Sequence, residues 1–348
     1  MSNFKRHLID SECKIIDALD KLDKLAADAI LFVINKEGKL LGALTDGDVR
    51  RGLLKGLKVE DKVTDFIQRN PRFVRKDNFQ LEDIIKFREG HFKIIPVLDE
   101  ADRIINIINF RLQKSYLPVD AVIMAGGRGQ RLRPLTDDTP KPMLKVGDKP
   151  IIEHNIDRLI SYGIDDVHIS LRYLGDHIKS YFKDGLHKGA NIQYVNEDDP
   201  LGTIGSISLI EKFRHETVLI TNSDLLTNLD YEDFYRTFIE SGADFSVVTI
   251  PYEVKIPYAV IETSNEHVVS FREKPTYTYF SNGGIYLTKR KILDLIPKKS
   301  FYNATDLMER LIKEGMKVHS YPLRGYWLDI GRHEDYEKAQ EDIKHLKF

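Results

Sequence analysis

Val119-Asp120-Ala121-Val122-Ile123-Met124-Ala125-Gly126-Gly127-Arg128-Gly129-Gln130-Arg131-Leu132 is the stretch that decides the fold. Residues Val119 to Met124 read as a buried strand, and the glycines after it form a strand-to-helix turn. Such a turn lets backbone N–H groups approach phosphate closely. The Lys-Ser/Thr pair of a Walker loop is missing, and the spacing is not the Gly-x-Gly-x-x-Gly dinucleotide fingerprint. Glycines alone would signal only a tight turn. Arg128 and Arg131 shift that balance, because a guanidinium fork matches phosphate geometry. Further on, Thr139-Pro140-Lys141-Pro142-Met143 holds a lysine between two prolines. Stiff flanks of this kind suit a cation aimed at a phosphate.

Strands and amphipathic helices alternate downstream of the turn. Ile151–Tyr162 reads as a helix, Val167–Leu171 as a strand and Ile178–Phe182 as helical. Ile192–Val195 and Val218–Thr221 read as further strands. The alternation implies an α/β, mostly parallel, Rossmann-like sheet with helices on both faces. Ligands of such sheets bind beyond the C-terminal ends of the strands.

Upstream, the first third of the chain repeats itself. Ile30-Leu31-Phe32-Val33-Ile34, a polar turn and Lys39-Leu40-Leu41-Gly42-Ala43-Leu44 recur 64 residues later as Ile94–Leu98, a turn and Arg103–Ile108. Helical patterns precede each pair, around Ile15–Leu22 and Leu81–Phe87. A duplicated helix-strand-strand-helix unit this small cannot bury both faces alone, so the two α+β copies should pack together. Pro118 interrupts the pattern, which divides the chain into residues 1–117 and 118–348.

Composition excludes several classes. The 348 residues carry 52 basic and 54 acidic side chains, net −2, which argues against nucleic-acid binding. One cysteine, Cys13, cannot form an internal disulfide, and Met1–Asp10 lacks an apolar signal core. No apolar run approaches the roughly 20 residues that span a bilayer. A cytoplasmic protein without membrane attachment is expected, and a homo-oligomer is compatible with the sequence.

The glycine-rich turn with Arg133-Pro134-Leu135-Thr136 and Lys141-Pro142-Met143 resembles the signature of the nucleoside-diphosphate-sugar pyrophosphorylases, the sugar-1-phosphate nucleotidyltransferases. Leu201-Gly202-Thr203-Ile204-Gly205-Ser206, Asn222-Ser223-Asp224, Arg272-Glu273-Lys274-Pro275, Asn282-Gly283-Gly284-Ile285-Tyr286 and Tyr326-Trp327-Leu328-Asp329-Ile330-Gly331 follow in that family's order. The resemblance covers residues 119–348. It implies attack of a sugar 1-phosphate on the α-phosphorus of a nucleoside triphosphate, with release of pyrophosphate. Arg131 and Lys141 would meet the phosphates. Asp224 and Asp329 would hold Mg²⁺, a hard cation suited to carboxylates and phosphate oxygens. Gly126, Gly127, Gly129, Gly202 and Thr203 would contact the nucleotide, with Glu197 directed to the base. Lys274 would hold the sugar phosphate, Glu273 the sugar hydroxyls, and Asn282 and Gly283 the ring. Tyr173, Tyr286 and Trp327 read better as packing residues. Ser223 and Ala259 stand where the family usually shows glycine.

The Leu-Gly-Thr loop is similar to the mannose-1-phosphate guanylyltransferase branch, which makes GTP the first expectation and surface-glycan precursors the destination. A uridylyl- or cytidylyltransferase, and a non-catalytic nucleotide sensor, are the alternatives. A sensor has no need of paired metal carboxylates. A glycosyltransferase of the Asp-x-Asp type is disfavoured, since no such pair lies near Asp224. The N-terminal repeat resembles a pair of CBS modules, most clearly at Gly42–Arg50. That resemblance implies an adenine-nucleotide site in which Asp48, beside Thr45, takes the ribose diol. A helix cap is the alternative role for Thr45 or Asp46. The second copy has Asn109 and Leu112 in the corresponding places, so one such site per chain is expected.

Overall fold

The structure, a computed structural model, describes residues 3–76 and 78–346. The N-terminal repeat forms two small sheets. The first contains β1 (Leu8–Asp10), β2 (Ile30–Ile34) and β3 (Leu40–Thr45), with α1 (Ile15–Leu25) between and α2 (Asp46–Leu54) after them. The second contains β4 (Val74–Arg75), β5 (Ile94–Leu98) and β6 (Ile104–Asn109), with α3 (Leu81–Glu89) inserted. The duplication extends to irregularities: β2–β3 shifts register between Val33 and Ile34, and β5–β6 between Val97 and Leu98. The copies pack together as expected. Phe32, Ala43, Ile94, Leu98 and Ile104 share one buried cluster, and Leu40 N donates to Asp102 O at 3.0 Å across the two hairpin turns.

One expectation fails here. The second copy has no closing helix: β6 ends in a turn, with Arg111 N donating to Asn109 Oδ1 at 3.0 Å. In the first copy Thr45 and Asp48 form a capping box that starts α2. Leu112 replaces the acid, so the reciprocal bond cannot form. The chain turns instead into Tyr116 and Leu117, 1% and 2% exposed.

The second half is built on a seven-stranded sheet. Its strands are β7 (Val119–Ala125), β10 (Asp166–Leu171), β11 (Asn191–Asn196), β12 (Thr217–Asn222), β14 (Phe245–Lys255), β17 (Thr276–Lys289) and β18 (Val318–Pro322), in the order β11-β10-β7-β12-β17-β14-β18. Neighbours are parallel except at β17, which runs antiparallel to both β12 and β14. Small pairs β8 (Lys145–Val146) with β9 (Lys149–Pro150), β13 (Leu225–Thr227) with β19 (Trp327–Asp329), and β15 (Val260–Ser264) with β16 (His267–Arg272) complete the strands. β7 is apolar at every position but Asp120 because both of its faces are covered. Ala121, Ile123 and Ala125 join one core with α4 (Ile151–Ser161), α5 (Gly175–Phe182) and α6 (Tyr231–Ser241). Val122 points to the other face, where Leu307 and Leu311 of α7 (Ala304–Lys313) pack. The last helix, α8 (His333–Asp342), lies against β8 and β19. No helix among the described residues is long and apolar enough to cross a membrane.

The repeat is not a loosely tethered appendage. Val74, Phe79, Leu81, Ile84, Ile95, Val97 and Ile108 of the second copy belong to the same core as Tyr116, Ile156 and Phe234. Polar groups, buried at Lys76 and partly solvated at Arg88, join the halves as well. Lys76 Nζ lies 2.5 Å from Asp165 Oδ1 and 3.2 Å from Asp166 Oδ2, and Arg88 grips Glu232 through two contacts of 2.8 Å.

Asp120, 1% exposed, receives His215 N at 2.7 Å. Burial first, with the neighbouring Asp166 charge, pushes its pKa up to about 6. A carboxyl with a raised folded pKa adds stability at low pH, and that contribution is lost as pH rises from about 4 to about 6. Asp120→Asn should therefore gain on the order of 1–3 kcal/mol over the wild type across that window. Urea unfolding of both proteins from pH 4 to pH 7 checks it: a constant difference would refute the assignment.

Candidate active site

The C-terminal ends of β7, β10 and β12 converge on a cavity of about 320 Å³. β7 delivers Gly126, Gly127 and Arg128, β10 delivers Arg172, and β12 delivers Asn222, Ser223 and Asp224. Glu197, Gly202, Thr203 and Lys141 line the same space. A methyl group on Gly127 would meet nothing within 4 Å, so its backbone faces the open cavity. On Gly126 it would fall 2.9 Å from Glu197 Oε1. Gly129 adopts φ +60°, and a Cβ there would sit 2.9 Å from the Cβ of Lys141. Glycine at that position is what lets Lys141 lie beneath the turn.

Asp329 reaches the site through a strand pairing. Leu225 of β13 pairs with Asp329 of β19, and Ile330 N donates to Asp224 O at 3.0 Å. Two aspartates far apart in sequence thus stand side by side. Lys141 Nζ bonds Asp224 Oδ2 and lies 3.8 Å from Asp329 Oδ1. The Oδ1 atoms of both aspartates are buried and accept no hydrogen bond. Burial first, then the Asp224 charge, raises the Asp329 pKa against the opposing charges of Lys141 and Arg131. Arg131 does not line the cavity but lies beside Gly331, where a Cβ would fall 3.3 Å from its Nη2. Two orphaned carboxylate oxygens on paired segments, one belonging to a residue that lines the cavity, fit Mg²⁺, which takes one or two carboxylates plus substrate oxygens.

Glu197 is 9% exposed, takes the hydroxyl of Ser170 on Oε1, and accepts Leu201 N on Oε2 at 3.3 Å. Thr203 Oγ1 accepts Ala304 N at 2.9 Å, which ties its loop to the start of α7. Asn282 donates to the Tyr286 hydroxyl at 2.9 Å, and Gly283 O accepts the Trp327 indole at 2.9 Å, so both aromatic groups serve the framework. Glu273 and Lys274 are not brought to the cavity: both are exposed, between β16 and β17. Arg172 and Phe301 line the cavity but drew no attention in the sequence. The position of Arg172, immediately after a parallel strand, is the signal that could have singled it out.

A second cluster of candidate ligand groups lies at the N-terminal ends of the same strands. Asp120, Asp166 and His215 bring one atom each within 4.8 Å of one another. Lys76 and Arg214, 3.2 and 3.4 Å from Asp166 Oδ2, already supply positive charge there.

Residues 120–345 match the nucleotidyl transferase family model, and residues 7–55 match the CBS domain. The chain belongs to the nucleotidyl transferase family. Its similarity extends to a mannose-1-phosphate guanylyltransferase of Mycobacterium tuberculosis, 33% identical over 65% of this chain and 64% of that protein. A D-glycero-alpha-D-manno-heptose 1-phosphate guanylyltransferase of Aneurinibacillus thermoaerophilus is 32% identical over 65% of this chain and 99% of its own length. A UTP–glucose-1-phosphate uridylyltransferase of Synechocystis is 30% identical over 63% of this chain and 62% of that protein. The chain thus spans somewhat under two thirds of the Mycobacterium and Synechocystis proteins. Among solved structures, one from Bacillus anthracis named as a glucose-1-phosphate thymidylyltransferase superposes with a TM-score of 0.54 at 25% identity, covering 66% of this chain and 97% of its own. The Rossmann-like sheet and the N-terminal CBS domain are thereby both accounted for.

Proposed function

We propose that this protein joins a sugar 1-phosphate to a nucleoside triphosphate, forming a nucleoside-diphosphate sugar and pyrophosphate. The observation that carries the reading is the pair of orphaned oxygens on Asp224 and Asp329, set beside Lys141 and the open backbone of Gly127. Attack at the α-phosphorus asks the protein for alignment of two anions and compensation of charge rather than covalent chemistry. Gly126 and Gly127 offer backbone to the triphosphate, while Arg128, Arg131 and Lys141 offer cations. Asp224 and Asp329 would hold Mg²⁺, which when bound offsets the charge of the two phosphates. Lys274 and Glu273 are assigned to the sugar phosphate and sugar hydroxyls, with Asn282 and Gly283 at the ring.

GTP is the preferred triphosphate. The buried Glu197 carboxylate lines the cavity, and guanine presents two adjacent N–H donors on one edge, a match for a carboxylate. Uracil and thymine flank their single N–H with carbonyl oxygens, which a carboxylate repels. The test is pyrophosphate release from each of four nucleoside triphosphates against mannose, glucose, glucosamine and heptose 1-phosphates. Release from UTP or CTP alone would overturn the base assignment, and release from none would overturn the activity. Glu197→Gln should reduce the preference for GTP over UTP by roughly 10-fold or more, since one of two paired hydrogen bonds is lost. Competition between the two triphosphates measures it.

For the N-terminal domain the second reading is an adenine-nucleotide site at Thr45 and Asp48. Asp48 Oδ2 accepts Thr45 N at 2.9 Å and the Thr45 hydroxyl at 2.6 Å, and Arg51 binds Oδ1 at 2.5 Å. A ribose would therefore replace Arg51 at Oδ1. Asp48→Ala should weaken AMP or ATP binding by ~1–3 kcal/mol and destabilise α2 by ~1 kcal/mol. Calorimetric titration of the full chain separates these effects, and unchanged nucleotide binding would leave the capping role alone.

A further inference from the structure

Arg172 lines the active-site cavity and has no part in the function proposed above. It is half-buried, and Glu197 lines the same cavity. Among the described residues Arg172 nonetheless makes no hydrogen bond or ion pair. Its guanidinium therefore keeps all five donors, set in a fixed fork, for something outside the chain.

The sheet fixes where that fork starts. Leu171 of β10 pairs with Asn196 of β11 on one side and with Ala125 of β7 on the other. Glu197 N then donates to Leu171 O at 2.8 Å. One step further along these parallel strands stand Gly126, Arg172 and Glu197, a row of positions on one face of the sheet. A methyl group on Gly126 would lie 2.9 Å from Glu197 Oε1 and 3.5 Å from the Arg172 Cβ. Acid and base thus meet beside the first glycine of the turn, whereas Lys141 lies under Gly129 at its far end. Ser170 and Leu201 N hold the carboxylate, so its position does not depend on Arg172.

Guanine presents two edges that match such a pair. Its N1–H and 2-amino group donate, which suits a carboxylate. Its O6 and N7 accept side by side, and one guanidinium takes both. Adenine carries an amino donor in place of O6, and a pyrimidine has no N7. We propose that Arg172 is a specificity-determining residue that binds guanine O6 and N7 while Glu197 takes the N1 and 2-amino donors. The inference rests on the proposed use of GTP with Glu197 at the base, and adds the group that reads the second edge of the ring.

The test compares wild type, Arg172→Met and Arg172→Lys on GTP, 7-deaza-GTP, ITP and UTP. The sugar 1-phosphate is whichever of the four above releases most pyrophosphate. 7-Deaza-GTP lacks only the N7 acceptor, and ITP lacks only the 2-amino donor. For wild type, kcat/KM with 7-deaza-GTP should fall about 5-fold below GTP, the loss of one charge-assisted hydrogen bond. Arg172→Met should lose about 10-fold or more with GTP and should use GTP and 7-deaza-GTP alike. Its ITP penalty should match that of wild type, because Glu197 is untouched. Arg172→Lys keeps the charge without the fork and should recover only part of the loss. Melting temperatures should not change, since no contact within the chain is removed. A wild type that uses 7-deaza-GTP as well as GTP overturns the contact and leaves the activity standing. So does an Arg172→Met variant that loses GTP and UTP by one factor, which would move the guanidinium to the triphosphate. A wild type with no preference for GTP over UTP would instead bring down the Glu197 reading, and this inference with it.

Discussion

Asp224→Asn and Asp329→Asn should each lower turnover by at least ~10²-fold while leaving the chain folded. The expectation follows from where the charge sits. Each aspartate carries one buried Oδ1 that accepts no hydrogen bond, and the two stand next to each other with Lys141 as neighbour. Removing either charge lowers the pair's attraction for a divalent cation, so the loss should come with a higher Mg²⁺ requirement. Stability should hold, because burial first and then the Asp224 charge already disfavour the charged form of Asp329, and each change relieves part of that cost. Steady-state rates across a Mg²⁺ titration, with thermal melts of each variant and a chelator control, make the measurement. Wild-type turnover in both variants would sink the assignment.

Lys76→Met should cost about 3–5 kcal/mol, the cost of leaving buried charges without their partner. The Lys76 side chain is 8% exposed, between Asp165 and Asp166 at 13% and 9%. Asn106 Nδ2 and the Tyr116 hydroxyl reach the same Asp165 at 3.2 and 3.4 Å, so the N-terminal domain and its connector converge on one carboxylate. Burial works against the charged ammonium, yet the surrounding charges outweigh it and raise its pKa overall. Arg88→Ala should cost much less, near 1 kcal/mol, because that pair is partly solvated at 35% and 18% exposure. Denaturant unfolding monitored by two probes would resolve whether the halves still melt together. A Lys76→Met protein as stable as the wild type would show that the contact is incidental.

The two kinds of information divide along lines of distance in the chain. Local pattern was enough for β7 and its glycine turn, since a strand covered on both faces reads as a nearly continuous apolar run, here broken by Asp120 alone. The 64-residue repeat was equally legible, because each copy solves the same packing problem with apolar side chains at matching positions, while the register shift that the copies share emerged only in the structure. Motif order was enough to nominate Lys141, Asp224 and Asp329, and the strand pairing of Leu225 with Asp329 then showed how they meet. The missing helix after Asn109 was not legible. Its absence depends on a capping partner lost at Leu112 and on the burial of Tyr116 against another element. Nor could spacing reveal that the second repeat shares a core with the catalytic half, or that Lys76 closes a buried ion pair across it. The position of Glu273 and Lys274 is the sharpest case. Their motif is plain in the sequence, but only the structure places them on an exposed ribbon between β16 and β17. Periodicity reports which faces a segment must bury; only the tertiary structure decides against what, because burial is a property of the assembled surfaces and not of any one strand.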